Sequence, residues 1–575
     1  MKAKIGGSAI LAKCLKKEGV DTVFTLSGGH IMSMYYACID EGIKIVDCRS
    51  EANAVIAADA YAKVTGKPGV LMTTAGPGVT NTMTGMLEAM TGRTPIVHIG
   101  GACPLVLQGT GDVQDVDNMS LMRACTKWAK QVFATERIAD HLDDAFRHAM
   151  SGVQGPVYIE IAADILMDVI DEDLADIVPK SRTAAIPYGD PEYVEAAAEL
   201  LVGAKRPVVV VGNSARYSAE PQDAVRELVE YLDMPLVAAT IGRGLFLDED
   251  HTLAKAGLTA TLDADVVLAL CTANDTPLSK LKPPAYAADA KFIMVSPDSR
   301  TIGFNREVEI GIVAGAGPAA KQILEAVKVL TPKINREDRI KELLKRTSEV
   351  REKEKEGIFS EAGMVRPGRC AAEVCKFLAE DGKDFTVVAD GGDSGCWINR
   401  LAVAHRTAQI LGLIGNGSVG LAPGTALGAW HGAKKPVLLY TGDGSFGYNF
   451  MEFSNYVKYN LPIIVVVAND SAWGMVKGFE WITRPNVYSS YEKDHADSLA
   501  VDLPFVHYEK MAQILGGYGE LVEVPDEIVP AIKRAIQSGK PAIINVRVED
   551  ITKDGYSLRT ETMSKGFKMF AKDYV

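Results

Sequence analysis

One stretch constrains the chain more than any other: 436-PVLLYTGDGSFGYNFMEFSNYVKYNLPIIVVVANDSAWGM-475. Val437 to Tyr440 form a short apolar run, and 442-GDG-444 makes a sharp turn. The pattern predicts a helix over Phe446 to Tyr459, then a buried parallel strand in the β-branched run Ile463 to Val467. Asp443 and Asp470 thereby fall at the carboxyl ends of neighbouring strands, where open α/β sheets bind ligands.

Two ligands compete for that turn. Residues 442-GDGSFG-447 match the dinucleotide pattern GxGxxG, and a lone match is weak. A carboxylate in such a turn repels phosphates unless a cation lies between them. The second acid, beside an amide in 469-NDSAWG-474, points to that cation. Oxygen ligands from Asp443, Asp470 and one backbone carbonyl, completed by two phosphate oxygens and a water, suit Mg²⁺. A metal-bound diphosphate is therefore preferred over a nicotinamide dinucleotide.

The rest of the chain supplies the frame. At 575 residues it is too long for one core, and three domains are expected: 1–180, 190–340 and 358–575. In the first, 22-TVFTL-26, 44-KIVDC-48, 69-GVLMTT-74, 95-PIVHIG-100 and 156-PVYIEI-161 read as strands, with an Ala-rich helix at 51–66. In the second, strands are expected at 207–212, 235–240, 265–270 and 292–297. Such alternation predicts α/β domains with doubly wound parallel sheets. The charged stretch 336–357 has helical spacing and reads as an exposed linker helix. A net charge of −13 with no basic cluster argues against nucleic-acid binding. Nine cysteines without metal spacing read as reduced thiols in a cytoplasmic protein. The N-terminus is not a signal peptide, and no apolar run reaches membrane-spanning length.

GDG, an interval of 27 positions (470 − 443) and an amide-rich turn together resemble the thiamine diphosphate (ThDP) binding motif. Family members read NN where this chain has Asn469-Asp470, so Asp470 takes the metal position and the carbonyl of Ala472 the backbone position. The three units resemble the pyrimidine-binding, central and diphosphate-binding domains of the acetolactate synthase/pyruvate decarboxylase superfamily. The pattern is closest to benzaldehyde lyase and acetolactate-synthase-like lyases, through 28-GGHI-31, 74-TAGPGVTN-81, 126-TKWA-129, 164-DILMDVIDEDL-174 and 424-GTALGA-429.

That resemblance implies roles. Glu51 contacts the cofactor's pyrimidine nitrogen; read blind, it is an acid favoured by its helix dipole. Val419 supports the bent cofactor, and Gly417 offers a carbonyl to the aminopyrimidine. Gly392, Asp393 and Ser394 resemble the diphosphate loop, Asp393 being an unexpected charge there. Gly442, Gly444, Ser445, Trp473, Gly474 and Met475 complete the cofactor contacts. His30 is the proton-transfer candidate, since a glycine turn exposes its ring and its titration range fits. Gln114 matches a glutamine that hydrogen-bonds cofactor-bound species. Gly29, His30, Gln114, Met475 and Phe479 would line the substrate pocket, although Met475, Phe479 and Trp473 equally suit core packing. Where benzaldehyde lyase has a pocket tyrosine, a second histidine and an alanine, this chain has Gly395, Leu413 and Met475.

The expected activity is a ThDP- and Mg²⁺-dependent lyase/carboligase acting on 2-hydroxyketones, aldehydes or 2-oxo acids. The alternatives are an acetolactate synthase, a 2-oxo acid decarboxylase, a 2-hydroxyacyl-CoA lyase and, in another class, a nicotinamide-dependent dehydrogenase. No FAD signal is recognisable in the central domain. The resemblance implies at least a homodimer, with a homotetramer expected and active sites between subunits. The tail 561–575 reads as a surface helix or, as in acyl-CoA-using relatives, a segment closing over CoA.

Overall fold

The computed structural model describes residues 2–177, 185–272, 276–358, 365–412, 416–483 and 500–550. Three parallel sheets organise them. In spatial order the first runs Lys44–Asp47, Thr22–Thr25, Gly69–Thr73, Ile96–Ala102, Val157–Ala162, Trp128–Val132. The last runs Ile410–Gly412, Thr386–Ala389, Val437–Gly442, Ile463–Asn469, Ala542–Arg547, Tyr518–Val522. Ranked by chain order, both read 2-1-3-4-6-5. The middle sheet runs Leu236–Ala238, Pro207–Val211, Val266–Leu270, Lys291–Ser296, Ile310–Val313, or 2-1-3-4-5. An antiparallel pair, Lys4–Gly6 with Val169–Asp171, stands apart.

The strands are continuous apolar runs because helices cover both faces. Every residue of Pro207–Val211 and of Ile463–Asn469 is buried. Among the strands that patterning missed, Trp128–Val132 and Ile310–Val313 each lie at a sheet edge, and Trp128–Val132 is buried only at Val132. Its lysine and glutamine hide the strand signal.

Two expectations about helices change. The segment expected as one helix from Phe446 to Tyr459 is a helix at Asp443–Asn449, a tight turn at Phe450–Glu452, and a second helix at Phe453–Lys458. Asn449, at φ −134°, makes the break. The expected exposed linker is helix Glu337–Ile358, but one face is docked. Ile340 and Leu343 are buried in the central core, and Arg339 and Arg346 both pair with Asp263.

The first and last domains share a core in which Phe24, Ala57 and Leu71 meet Leu427, Val437 and Leu439. Helix Glu51–Thr65 is capped at its start by the Ser50 side chain and ended by left-handed Gly66. It lies against helix Ala422–Ala433 at backbone distance: a Cβ on Gly428 would sit 2.0 Å from the Ala57 carbonyl oxygen. Small residues on both helices permit that approach. All nine cysteines are free thiols. Among the described residues, no helix is long and apolar enough to cross a membrane.

Candidate cofactor site

In each outer sheet the strand order reverses between its first and third strands, and loops leaving a parallel sheet there open a crevice. In the last sheet those loops follow Thr386–Ala389 and Val437–Gly442. They lie close together. A Cβ on Gly391, whose φ is +88°, would sit 3.1 Å from Ser445 Oγ, and one on Gly442 would sit 3.1 Å from Ser394 Oγ. Helices open at Asp393, Asp443 and Gly474 on the same edge, presenting their positive ends. Gly392 is covered by Met475, whose Cβ would be 2.8 Å from an added methyl.

Strands Val437–Gly442 and Ile463–Asn469 pair in parallel, with Gly442 opposite Ala468, so the acids that follow them become neighbours. Asp443 is buried, and its carboxyl is in hydrogen-bonding contact with that of Asp470. Burial, partly offset by hydrogen bonds, pushes Asp443 up to about 6. Burial and then the Asp443 charge push Asp470 well above the carboxylate range. Two facing carboxylates cannot both ionise cheaply without a counter-charge. With glycine-lined turns and serine hydroxyls alongside, the residues fit a hard divalent cation carrying a diphosphate. A Cβ on Gly474 would meet Asp470 Oδ2 at 2.3 Å, so glycine is required for that carboxylate to lie where it does. Ala472 is held by an antiparallel bridge to Asp502, next to Ser471 at φ +58°. Trp473 covers Gly444 and stands edge-on to Tyr448 at 5.8 Å.

The first sheet builds a second cluster. Glu51 is buried at its helix start and accepts a hydrogen bond from Asn81 Nδ2 at 3.1 Å. Thr74 Oγ1 joins His30 Nδ1 at 3.1 Å to Gln114 Oε1 at 3.5 Å. Gln114 is held at φ +62°, a conformation uncommon outside glycine. Its Cβ lies 3.0 Å from where a methyl on Gly76 would stand. Gly78 separates the two groups: a Cβ there would be 2.8 Å from Thr74 Cγ2 and 3.6 Å from Glu51 Oε1. Gly29 is exposed with open space beside it. Among the described residues no hydrogen bond joins Glu51 to the Asp443–Asp470 pair.

Several contributors carry no local signature. Asp390 is buried, and its carboxylate accepts backbone N–H groups from Gly391 at 2.6 Å, Gly420 at 3.1 Å and Ala422 at 3.4 Å. It thereby ties the 391–394 turn to the loop bearing Gly417 and Val419, and burial holds its carboxyl up at about 6. Buried Glu88, from the first domain, accepts from Asn416 N–H at 3.2 Å and Ser418 Oγ at 3.3 Å in the same loop. Gly417 is exposed at φ +71°, and Val419 is half-buried. Lys477, on the helix that follows Asp470, is buried against Asp502 at 2.6 Å and Asp550. A Cβ on Gly395 would stand 3.2 Å from the Asp390 carbonyl oxygen, so its small size answers a packing demand. The Phe479 side chain, Leu413 and the tail 561–575 lie outside the described residues.

The chain is a thiamine diphosphate enzyme. Residues 5–121 match the model of the thiamine pyrophosphate enzyme N-terminal TPP binding domain, 194–323 the central domain and 390–546 the C-terminal TPP binding domain. Among its relatives are a probable acetolactate synthase of Mycobacterium bovis, 30% identical over 93% of this chain and 94% of the relative, and 2-hydroxyacyl-CoA lyase 2 of Homo sapiens, 30% identical over 94% and 90%. The 2-hydroxyacyl-CoA lyase of Arabidopsis thaliana is 29% identical over 95% and 96%. The dehydrogenase alternative falls away, because GDGSFG lies within a TPP-binding match and its acid faces a second acid, Asp470.

Proposed function

We propose that this chain is a ThDP- and Mg²⁺-dependent carbon–carbon lyase/carboligase acting on small carbonyl compounds: 2-hydroxyketones, aldehydes or 2-oxo acids. The observation that carries the reading is the Asp443–Asp470 pair, with Asp443 buried and Asp470 half-buried, facing across a glycine-lined switch point. Asp443, Asp470 and the Ala472 carbonyl would hold Mg²⁺. Gly392, Ser394, Gly442, Gly444 and Ser445 would cradle the diphosphate, with Asp393 and Gly474 shaping the helix starts behind them. Val419 and Gly417 would meet the aminopyrimidine, and Trp473 and Met475 would close the turn by packing. When bound, ThDP supplies an electron sink for the carbonyl carbon.

The chain's own groups handle protons. Glu51, fixed by Asn81, holds a proton at the cofactor's ring nitrogen. Contact of His30 Nδ1 with Thr74 leaves Nε2 to carry a proton to and from a substrate oxygen. Thr74 couples that imidazole to Gln114. As the family resemblance implies, we infer that a second copy of the chain completes each site, in a homodimer at least and a homotetramer in the full reading. The free cysteines and acidic charge support a cytoplasmic location. Relatives named both synthase and lyase keep bond making and bond breaking within the reading.

Calorimetry of metal-stripped protein with ThDP, with and without Mg²⁺, tests the cofactor assignment; Mg²⁺-dependent binding is expected, and none under either condition overturns it. Product analysis then sorts substrates. CO₂ from pyruvate indicates a synthase or decarboxylase, cleavage of a 2-hydroxyacyl-CoA a CoA-using lyase, and cleavage of a benzoin a benzaldehyde-lyase-like enzyme.

A further inference from the structure

We propose that Glu452 is a positioning residue for Glu51: its buried carboxylate clamps the turn that carries Glu51 and ties it to the segment that begins at Asp443. The proposal rests on the reading of Glu51 given above.

Glu452 is fully buried. Its Oε2 accepts the Arg49 N–H at 2.9 Å and Asn53 Nδ2 at 2.8 Å, and its Oε1 accepts Asn455 Nδ2 at 2.8 Å. Arg49 and Asn53 stand two residues either side of Glu51. The clamp extends along the turn. Asn455 Nδ2 also donates to the Asp47 carbonyl at 3.0 Å. Asn449 Oδ1 faces Ser50 Oγ and Asn53 Nδ2, each at 3.5 Å. Lys458 and Tyr459 hold the Asp47 carboxylate. The backbone from the end of strand Lys44–Asp47 to the first turn of helix Glu51–Thr65 is thus gripped at Asp47, Arg49, Ser50 and Asn53 by one segment, 449–459.

The same segment reaches the other cluster. It starts six residues after Asp443 (449 − 443), and Asn449 Nδ2 donates to the Gly420 carbonyl at 2.8 Å, next to Val419. The break at Asn449, where a continuous helix is predicted, places Asn449 and Glu452 on the turn between two short helices. Packing two domains needs no buried carboxylate, and burying one is costly unless every oxygen is hydrogen-bonded. A carboxylate met by three donors fixes orientation in a way apolar contact does not.

Glu452→Gln tests the clamp, since an amide offers one acceptor oxygen to three converging donors. Whichever way the amide turns, its NH₂ meets a donor, Asn455 Nδ2 or the Arg49 and Asn53 pair, so backbone amide exchange at 48–53, followed by mass spectrometry on the cofactor-free protein, is expected to speed up about tenfold or more as that donor–donor clash loosens the clamp. ThDP affinity in Mg²⁺ should change about threefold or less, while Glu51-dependent exchange of the cofactor's C2 proton into D₂O falls about 10- to 100-fold, as for a reacting group misplaced by about 1 Å. In a Glu51→Gln background the same substitution should cause no further fall in that proton exchange. Wild-type amide and C2-proton exchange in Glu452→Gln overturns the clamp, as does an additive loss in the double variant. If Glu452→Gln does not fold, Glu452→Asp keeps the charge but shortens the reach, and wild-type C2-proton exchange in that variant also overturns it. Glu51→Gln alone retaining normal C2-proton exchange overturns instead the function on which the clamp rests.

Discussion

Substitution of Gly428 by alanine sets two effects of opposite sign against each other. In a helix interior alanine is about 1 kcal/mol better than glycine, so helix propensity alone makes Gly428→Ala stabilising. The neighbouring helix reverses that. The new methyl would lie 2.0 Å from the Ala57 carbonyl oxygen, 2.6 Å from its carbonyl carbon and 2.7 Å from its Cα. Ordinary contact needs about 3.5 Å, so helices Ala422–Ala433 and Glu51–Thr65 must part by about 1.5 Å. The obstructing atoms are helix backbone, which cannot rotate aside as a side chain does. Overpacking costs up to about 3 kcal/mol, and after the propensity gain a net loss of about 2 kcal/mol remains. For a domain of 150–250 residues that lowers the melting temperature by about 4–8 °C. The assay is thermal unfolding followed by calorimetry and by circular dichroism, because a three-domain chain need not unfold in one step. Gly203→Ala, with nothing within 4 Å of the added methyl, is the control and should not fall. Gly428→Ala melting at or above wild type would refute the close helix contact. Since Glu51 opens the displaced helix, turnover should fall with stability.

Three further outcomes follow from the site and the core. Asp443 sits at about 6 against an ordinary 3.8, so the folded metal-free protein keeps a proton that the unfolded chain releases, and stability falls as pH rises through that window. In EDTA, Asp443→Asn should melt above wild type at pH 7 and lose the advantage towards pH 4; with Mg²⁺ and ThDP its binding should fail, and a lower melting point in EDTA at pH 7 refutes the pairing. Thr74→Val removes the hydroxyl between His30 and Gln114 and should slow turnover about tenfold, with His30→Ala about a hundredfold, while ThDP affinity holds; equal loss of affinity and rate makes both residues structural. His431 is buried edge-on to Phe24 and Trp430, neither ring nitrogen has a hydrogen-bond partner among the described residues, and burial holds it down at about 3. As pH falls below 6.5 the unfolded chain takes up a proton the folded protein refuses, so His431→Phe should gain on wild type by about 1 kcal/mol per pH unit in urea melts below that point, and a pH-independent difference refutes this.

The sequence by itself determined the chemistry-bearing turns and the class of fold. Those signals are local: a β-branched run, a glycine turn and an acid at its end occupy a dozen residues, and two such units bring Asp443 and Asp470 to one sheet edge. The interval between the acids carried the family resemblance for the same reason. Edge strand Trp128–Val132 escaped because a half-exposed strand lacks the apolar run that marks a buried one. The tertiary structure alone decided which groups support the site. The Arg49 N–H finds the Glu452 carboxylate across 403 positions of chain, and Glu88 reaches Asn416 across 328. No period or motif encodes a hydrogen bond between residues so far apart. The helix break at Asn449 has the same origin: local propensity favours a continuous helix from Phe446 to Tyr459, and the observed turn instead places Asn449 and Glu452 where buried donors of another domain need acceptors.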